Sequence, residues 1–223
     1  PVLINLMFLI FVASLGIITC GLIFNAVKGV LPRKARLLWP RTAGLAEGVC
    51  YHHPGHTWAQ AAGRGLAAVG LDELGSKVIG RIDAIKLPRV GELVRQGETA
   101  WSLTHKSRSV DLVSPVTGSV VEVNEALERD PGLINRFPYT QGWVLKTQMR
   151  RIKEDLKSLF TSALARRLMD LSKAWICYSF SQSPPYPHYR LTYQDGGELV
   201  EGIGDRLNDE EWGRLKKKLF LSH

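Results

Sequence analysis

The 223 residues leave room for one ordinary domain with extensions or for two small domains, and a hydrophobic fraction of 45% excludes wholesale disorder. The formal net charge is +8, yet no zinc-finger spacing, interleaved aromatic stripe or nucleic-acid motif accompanies it, so no nucleic-acid partner is predicted. Cys20, Cys50 and Cys177 lie far apart with no Cys-x-x-Cys pair, which excludes a disulfide framework and suits a reducing compartment.

From Val2 to Val27 no residue is charged. About 20 apolar residues at ~1.5 Å each cross a bilayer core of ~30 Å, so residues 1–29 are predicted to form one transmembrane helix. A buried helix of a soluble protein is the other reading of the same run. Lys28, Arg33, Lys34, Arg36 and Arg41 all arrive before the first acidic residue, Glu47. Residues 30–50 therefore read as a basic juxtamembrane linker, with Trp39 as an interfacial anchor. The positive-inside rule then predicts a single-pass protein of the cell inner membrane with the remainder of the chain in the cytoplasm.

Residues 51–149 hold short strand-like runs separated by turn signals. Leu66–Leu71, Lys77–Ile82, Thr99–Thr104, Val110–Val113 and Ser119–Val123 read as strands. Leu87–Gly91, Arg95–Glu98 and Pro115–Gly118 read as turns, and His105–Ser109 as a polar hairpin tip. Asp130–Asn135 fits one helical turn. Many short strands at this spacing predict a mainly β domain, a small sandwich or barrel. Cys50, His52, His53 and His56 gather soft and borderline metal ligands within a short stretch. Pro54-Gly55 reads as a turn, and adjacent His52 and His53 in a loop are expected to face solvent, so no metal is expected.

The order of particular residues goes further. Tyr51, His56-Thr57-Trp58, Val69-Gly70-Leu71 and Leu87-Pro88-Arg89-Val90-Gly91-Glu92 are followed by Gly97-Glu98 and Ser114-Pro115-Val116-Thr117-Gly118. Then come Val121-Glu122-Val123-Asn124-Glu125-Ala126-Leu127, Pro131, Asn135, Pro138-Tyr139 and Gly142-Trp143. Over 51–149 this series resembles the glycine cleavage system H protein family. The resemblance implies a lipoyl/biotinyl-type hybrid-motif β-sandwich (a barrel-sandwich hybrid), two small antiparallel sheets face to face. It also implies a lysine at a hairpin tip that carries lipoyl amide, and partner enzymes between which the arm shuttles an aminomethyl group. His56 falls on the family's His-x-Trp position, where its role is structural.

In the family the carrier lysine stands ten positions after the turn glycine and eight before the turn proline. Counting from Gly97 and from Pro115 leads both times to Ser107. Lys106 lies one position early, Thr104 stands where the family has glutamate, and His105 where it has serine. Either a bulge at the tip lets Lys106 carry lipoate, or Lys106 is a solvated loop lysine and the domain serves as an unmodified binding surface. Ser107 has no base assigned to it, and no acid–base constellation predicts an enzyme.

Residues 150–223 form an added α+β extension. Residues 150–177 carry Ile152, Leu156, Leu159, Phe160, Leu164 and Leu168 at helical spacing, opposite Arg150, Arg151, Lys153, Lys157, Arg166 and Arg167. An amphipathic helix over 150–177 is predicted, packed on the β-domain, on an anionic membrane surface or on a partner. Ser183–Pro187 ends it. Arg190–Tyr193 resembles a strand and Asp195–Gly197 a turn. Asn208 and Glu211 fit a capping box for a helix to about Leu219, with Trp212, Leu215 and Leu219 on one side. The functional expectation is a membrane-anchored, H-protein-like scaffold or interaction module, unmodified and with unidentified protein partners. The alternative is a lipoyl carrier with lipoate on Lys106, shuttling an aminomethyl or acyl group as in glycine cleavage.

Overall fold

Alternating apolar and polar side chains build two antiparallel sheets around one core. They are seen in a computed structural model that describes residues 45–181 and 199–220, apart from 47 and 64. The larger sheet contains β1 (Cys50–His52), β2 (Thr57–Ala61), β3 (Leu66–Leu71), β5 (Leu93–Val94), β8 (Gly118–Val123), β9 (Trp143–Met149) and β10 (Phe160–Thr161). Its order is β10-β1-β2-β3-β9-β8-β5. The smaller sheet is β4 (Ala84–Lys86), β6 (Thr99–His105) and β7 (Arg108–Val113), in the order β4-β6-β7. Successive strand residues point to opposite faces. Ala67, Val69 and Leu71 of β3 therefore enter the core together, as do Trp101 and Leu103 of β6 and Val110 and Leu112 of β7. The observed fold is mainly β, with short helices between strands and two longer helices after the last strand.

Two expected elements are corrected. Lys77–Ile82, read as a strand, is no strand: its first half ends helix α1 (Glu73–Ile79) and the rest is irregular chain. Asp72 decides this, because its Oδ1 accepts the Gly75 N–H at 2.8 Å as an N-cap. Leu74, Val78 and Ile79 then face the core at helical spacing. Gly80 ends the helix at φ +76°, a left-handed value that favours glycine. Short helices α2 (Ala126–Arg129) and α3 (Leu133–Arg136) follow β8, the second close to the expected turn.

The single helix expected over 150–177 is the second correction. The chain forms α4 (Ile152–Asp155), a 3₁₀ turn (Leu156–Ser158), strand β10 and then α5 (Ser162–Ser181). Asp155 is held by Thr117, whose N–H and hydroxyl donate to its carboxylate at 2.7 and 3.1 Å. Pairing of Tyr51 with Thr161 and of His52 with Phe160 then requires extended backbone where helical spacing alone favoured a continuous helix. Ala165, Ile176 and Phe180 bury the inner face of α5. Helix α6 (Asp209–Leu219) forms as its sequence predicts. Asn208 and Glu211 make the reciprocal capping box, and Trp212, Leu215 and Leu219 are buried.

The predicted span Val2–Val27, the linker to Arg41, and the Arg190–Tyr193 and Asp195–Gly197 elements lie outside the described residues. Among the described residues no helix is long and apolar enough to cross a membrane.

The ladder between β8 and β9 tolerates no side chain at Gly118, where a β-carbon would run into the Thr147 hydroxyl and the Gln148 carbonyl. Gly118→Ala is expected to cost about 2–3 kcal/mol, lowering the melting temperature by roughly 5–10 °C in a calorimetric scan. An unchanged melting temperature would show that this ladder is looser than described.

Candidate functional site: the β6–β7 hairpin apex

His105 pairs directly with Arg108, so Lys106 and Ser107 alone form the turn between β6 and β7. The tip is narrower than the predicted His105–Ser109. No bulge is needed to bring Lys106 to the apex, because the register shift of this hairpin lies between Thr99 and Trp101. Two-residue hairpin turns use left-handed backbone to match the twist of their strands. Lys106 adopts it, at φ +53°, at a cost of about 1–2 kcal/mol for a residue with a β-carbon.

Asp83, just before β4, offsets that cost. Its Oδ2 accepts the Lys106 N–H at 2.8 Å and lies 3.0 Å from His105 Nδ1. The Lys106 N–H, helped by His105 and Arg81, holds the Asp83 carboxyl below its usual range. On the other side Asp205 places Oδ1 2.8 Å from His105 Nε2 and Oδ2 3.0 Å from Lys106 Nζ. Burial pushes the Asp205 carboxyl up, but His105 and Lys106 together bring it below the ordinary value. His105 is only 8% exposed, whereas the Lys106 side chain is 65% exposed. Ser107 is exposed. Lys106 is the only lysine between Thr99 and Val113. Asp83 and Asp205 were not legible as site residues. No local spacing ties either of them to the tip, and Asp205 comes from the extension.

The histidine cluster does different work. His56 is fully buried; its Nδ1 lies 2.8 Å from Asp72 Oδ2, and its Nε2 lies 3.0 Å from the Ser172 hydroxyl on α5. Burial raises the Asp72 carboxyl. The charge of His56, its hydrogen bond, the His52 ring 3.9 Å away and the Gly75 N–H outweigh it and hold the group well below the carboxylate range. Ser, His and Asp in this order resemble a nucleophilic relay. Ser172, however, sits inside a 20-residue helix, where neighbouring N–H groups are committed to the helix ladder and unavailable to an oxyanion. The relay joins α5 to the β-domain.

The expectation that His52 and His53 face solvent is corrected, since both are buried. His52 lies in β1 edge-on to Tyr139. His53 Nδ1 accepts the Gly55 N–H at 3.1 Å. Burial, then the Asp72 charge, pushes the Cys50 thiol up to about 12, so the thiolate that a metal would need is disfavoured. Among the described residues no three His, Cys, Asp or Glu side chains converge as metal ligands.

Two antiparallel sheets that present a lysine on a tight, acid-braced hairpin define a small β-domain of the hairpin-presenting class. Comparison with known proteins agrees. The model of the glycine cleavage H-protein family matches residues 50–171. The glycine cleavage system H protein of Streptomyces avermitilis is 38% identical over 103 residues, 46% of this chain and 82% of that protein. The H protein of Listeria monocytogenes is 36% identical over 116 residues, 52% of this chain and 90% of its own. A crystal structure of the H protein from Mycobacterium marinum aligns with 57% of this chain and 99% of that one, at 27% identity and a TM-score of 0.49. The chain belongs to the glycine cleavage H-protein family. It is not by itself an enzyme. The family match runs past Met149 and takes in β10 and the first half of α5.

The His53 environment generates a pH test. Burial, then His56, lowers its pKa from 6.5 to about 4. Between those values the unfolded chain binds a proton that the folded chain refuses, so stability falls as pH drops through the window. The loss is expected to be on the order of 3 kcal/mol. Urea unfolding between pH 7 and pH 4 should show it, and His53→Gln should flatten the slope. An equal slope in that variant would assign the effect elsewhere.

Proposed function

We propose that the chain is a lipoyl carrier of the H-protein type, with lipoate attached through an amide to Lys106. The observation that carries this reading is the position of Lys106. It stands at the apex itself, in a two-residue turn, with its side chain largely in solvent. A ligase and successive protein partners reach such a position without unfolding a strand. The apex fits the group, because the Lys106 amine can form an amide whereas the Ser107 hydroxyl cannot. Bound there, lipoate supplies a dithiolane that takes up and releases an aminomethyl or acyl group. The protein's own part is presentation. Asp83 fixes the turn through the Lys106 N–H, and the β6–β7 ladder holds the tip away from the core. The uncharged run Val2–Val27 and the basic residues after it support an anchor in the cell inner membrane, with the carrier domain in the cytoplasm.

One observation favours a second reading, the unmodified scaffold. The Lys106 amine already has a resident counter-ion in Asp205. In that reading the hairpin is an interaction surface that needs no lipoate.

Peptide mass spectrometry on protein extracted from membranes of its native host separates the two. A lipoyl adduct on the Lys106 peptide, lost in Lys106→Arg and kept in Ser107→Ala, is expected. An unmodified Lys106 in cells whose other lipoyl proteins are fully modified would leave the scaffold reading.

A further inference from the structure

The C-terminal segment is fastened to the hairpin that presents Lys106. Its entry is fixed on α1, where the Gly202 N–H donates to the Lys77 carbonyl at 2.8 Å. Gly202 also packs so closely on Gly80 that a β-carbon on Gly80 would come within 2.6 Å of the Gly202 α-carbon. The 3₁₀ turn Ile203–Arg206 then delivers Asp205 between His105 and Lys106. Arg108, the first residue after the turn, donates to the carbonyls of Gly204 and Leu207 and to Asp209 Oδ1, the last two at 2.8 and 2.9 Å. Its guanidinium also lies 5.7 Å from the centre of the Trp212 ring. From α6, Lys216 reaches the Ser109 carbonyl at 3.2 Å. His105 is buried at this junction while Ser107 stays exposed. One flank of the apex is therefore occupied by the protein's own chain.

We propose that residues 202–216 form a clasp, seated in the core by Ile203, Trp212 and Leu215, whose polar contacts restrain acylation of Lys106, with Asp205 as the positioning residue. The inference rests on the carrier reading. For acylation, the Lys106 ammonium must lose one proton to solvent, and the attacking nitrogen sheds a second to solvent as the amide forms. The neutral amine attacks the carboxyl carbon of lipoyl-adenylate, the C–N amide bond forms, the acyl–phosphate bond breaks and AMP leaves. Asp205 opposes the first event, because it stabilises the charged amine and holds it toward the clasp. The clasp also denies an enzyme one side of the apex. The coupling is reciprocal by linkage. Acylation removes the Lys106 charge and with it one of the two partners of Asp205, so the modified protein holds its clasp less firmly.

The test uses the full chain and two acylating agents. A bacterial lipoate–protein ligase with ATP and lipoate reports enzymatic access. N-hydroxysuccinimidyl acetate reports chemical access, with exposed Lys157 as the internal reference. Both are read by peptide mass spectrometry. Asp205→Asn is expected to speed acetylation of Lys106 about fivefold at most, since a half-exposed ion pair contributes little. Asp205→Glu should restore the slow rate, which a general loss of structure would not do. Arg108→Gln removes the clasp's charged hydrogen bonds from the hairpin side, and ligase-catalysed acylation should then rise roughly tenfold or more. Equal rates in the wild-type protein and in both Asp205→Asn and Arg108→Gln would overturn the clasp. If Asp205→Asn speeds acetylation while the ligase lipoylates none of the proteins, the clasp stands and the carrier reading fails.

Discussion

Much of the architecture depends on the buried carboxylate of Asp72. One oxygen caps α1 through the Gly75 N–H, and the other holds His56, which in turn reaches Ser172 on α5. The Asp72 backbone N–H adds a bond to the His56 carbonyl at 2.9 Å. A buried charge is tolerable only when its partners are in place, and removing a partner from such a pair typically costs 3–5 kcal/mol. A helix start, the β1–β2 turn and the α5 helix are thereby specified together. The C-terminal end of α1 then receives Gly202 through the Lys77 carbonyl, so the orientation set at Asp72 is passed to the segment that meets the hairpin.

The apex itself is a local balance of charge. Asp83 and Asp205 approach it from opposite sides and share His105 between them, 3.0 Å from Nδ1 and 2.8 Å from Nε2. The histidine that stands where the family has serine therefore belongs with Asp205, which lies beyond the matched region. The departure at the tip and the added C-terminal segment are two halves of one contact.

The parts of this molecule governed by short-range pattern were readable from sequence. Short strand-like runs between turn signals marked β3, β6, β7 and β8, and the Asn208–Glu211 capping box marked α6. The ordered turn residues identified the family. Readings failed where a long-range partner decided the outcome. Val78 and Ile79 look strand-like until Asp72 caps the helix that contains them. Ile152, Leu156, Leu159 and Phe160 keep helical spacing, yet Thr117 and β1 draw that stretch into a turn and a strand. His52 and His53 read as a solvated pair, and their burial depends on Tyr139 and on the Gly55 N–H. At the apex, counting from both flanks led to Ser107, although a turn of two residues gives Lys106 an equal place. Spacing fixes how many residues a turn contains, and backbone conformation decides which of them is presented.

The contact between the hairpin and residues 202–216 joins two parts of one chain, and that affects any competitor. Groups tethered in this way meet at an effective concentration on the order of millimolar, however dilute the protein. A separate protein present at micromolar levels must bind the same flank about a thousandfold more tightly to take it over. Under the proposed clasp a weakly binding protein therefore competes poorly for this one flank, while the rest of the Lys106 side chain stays in solvent.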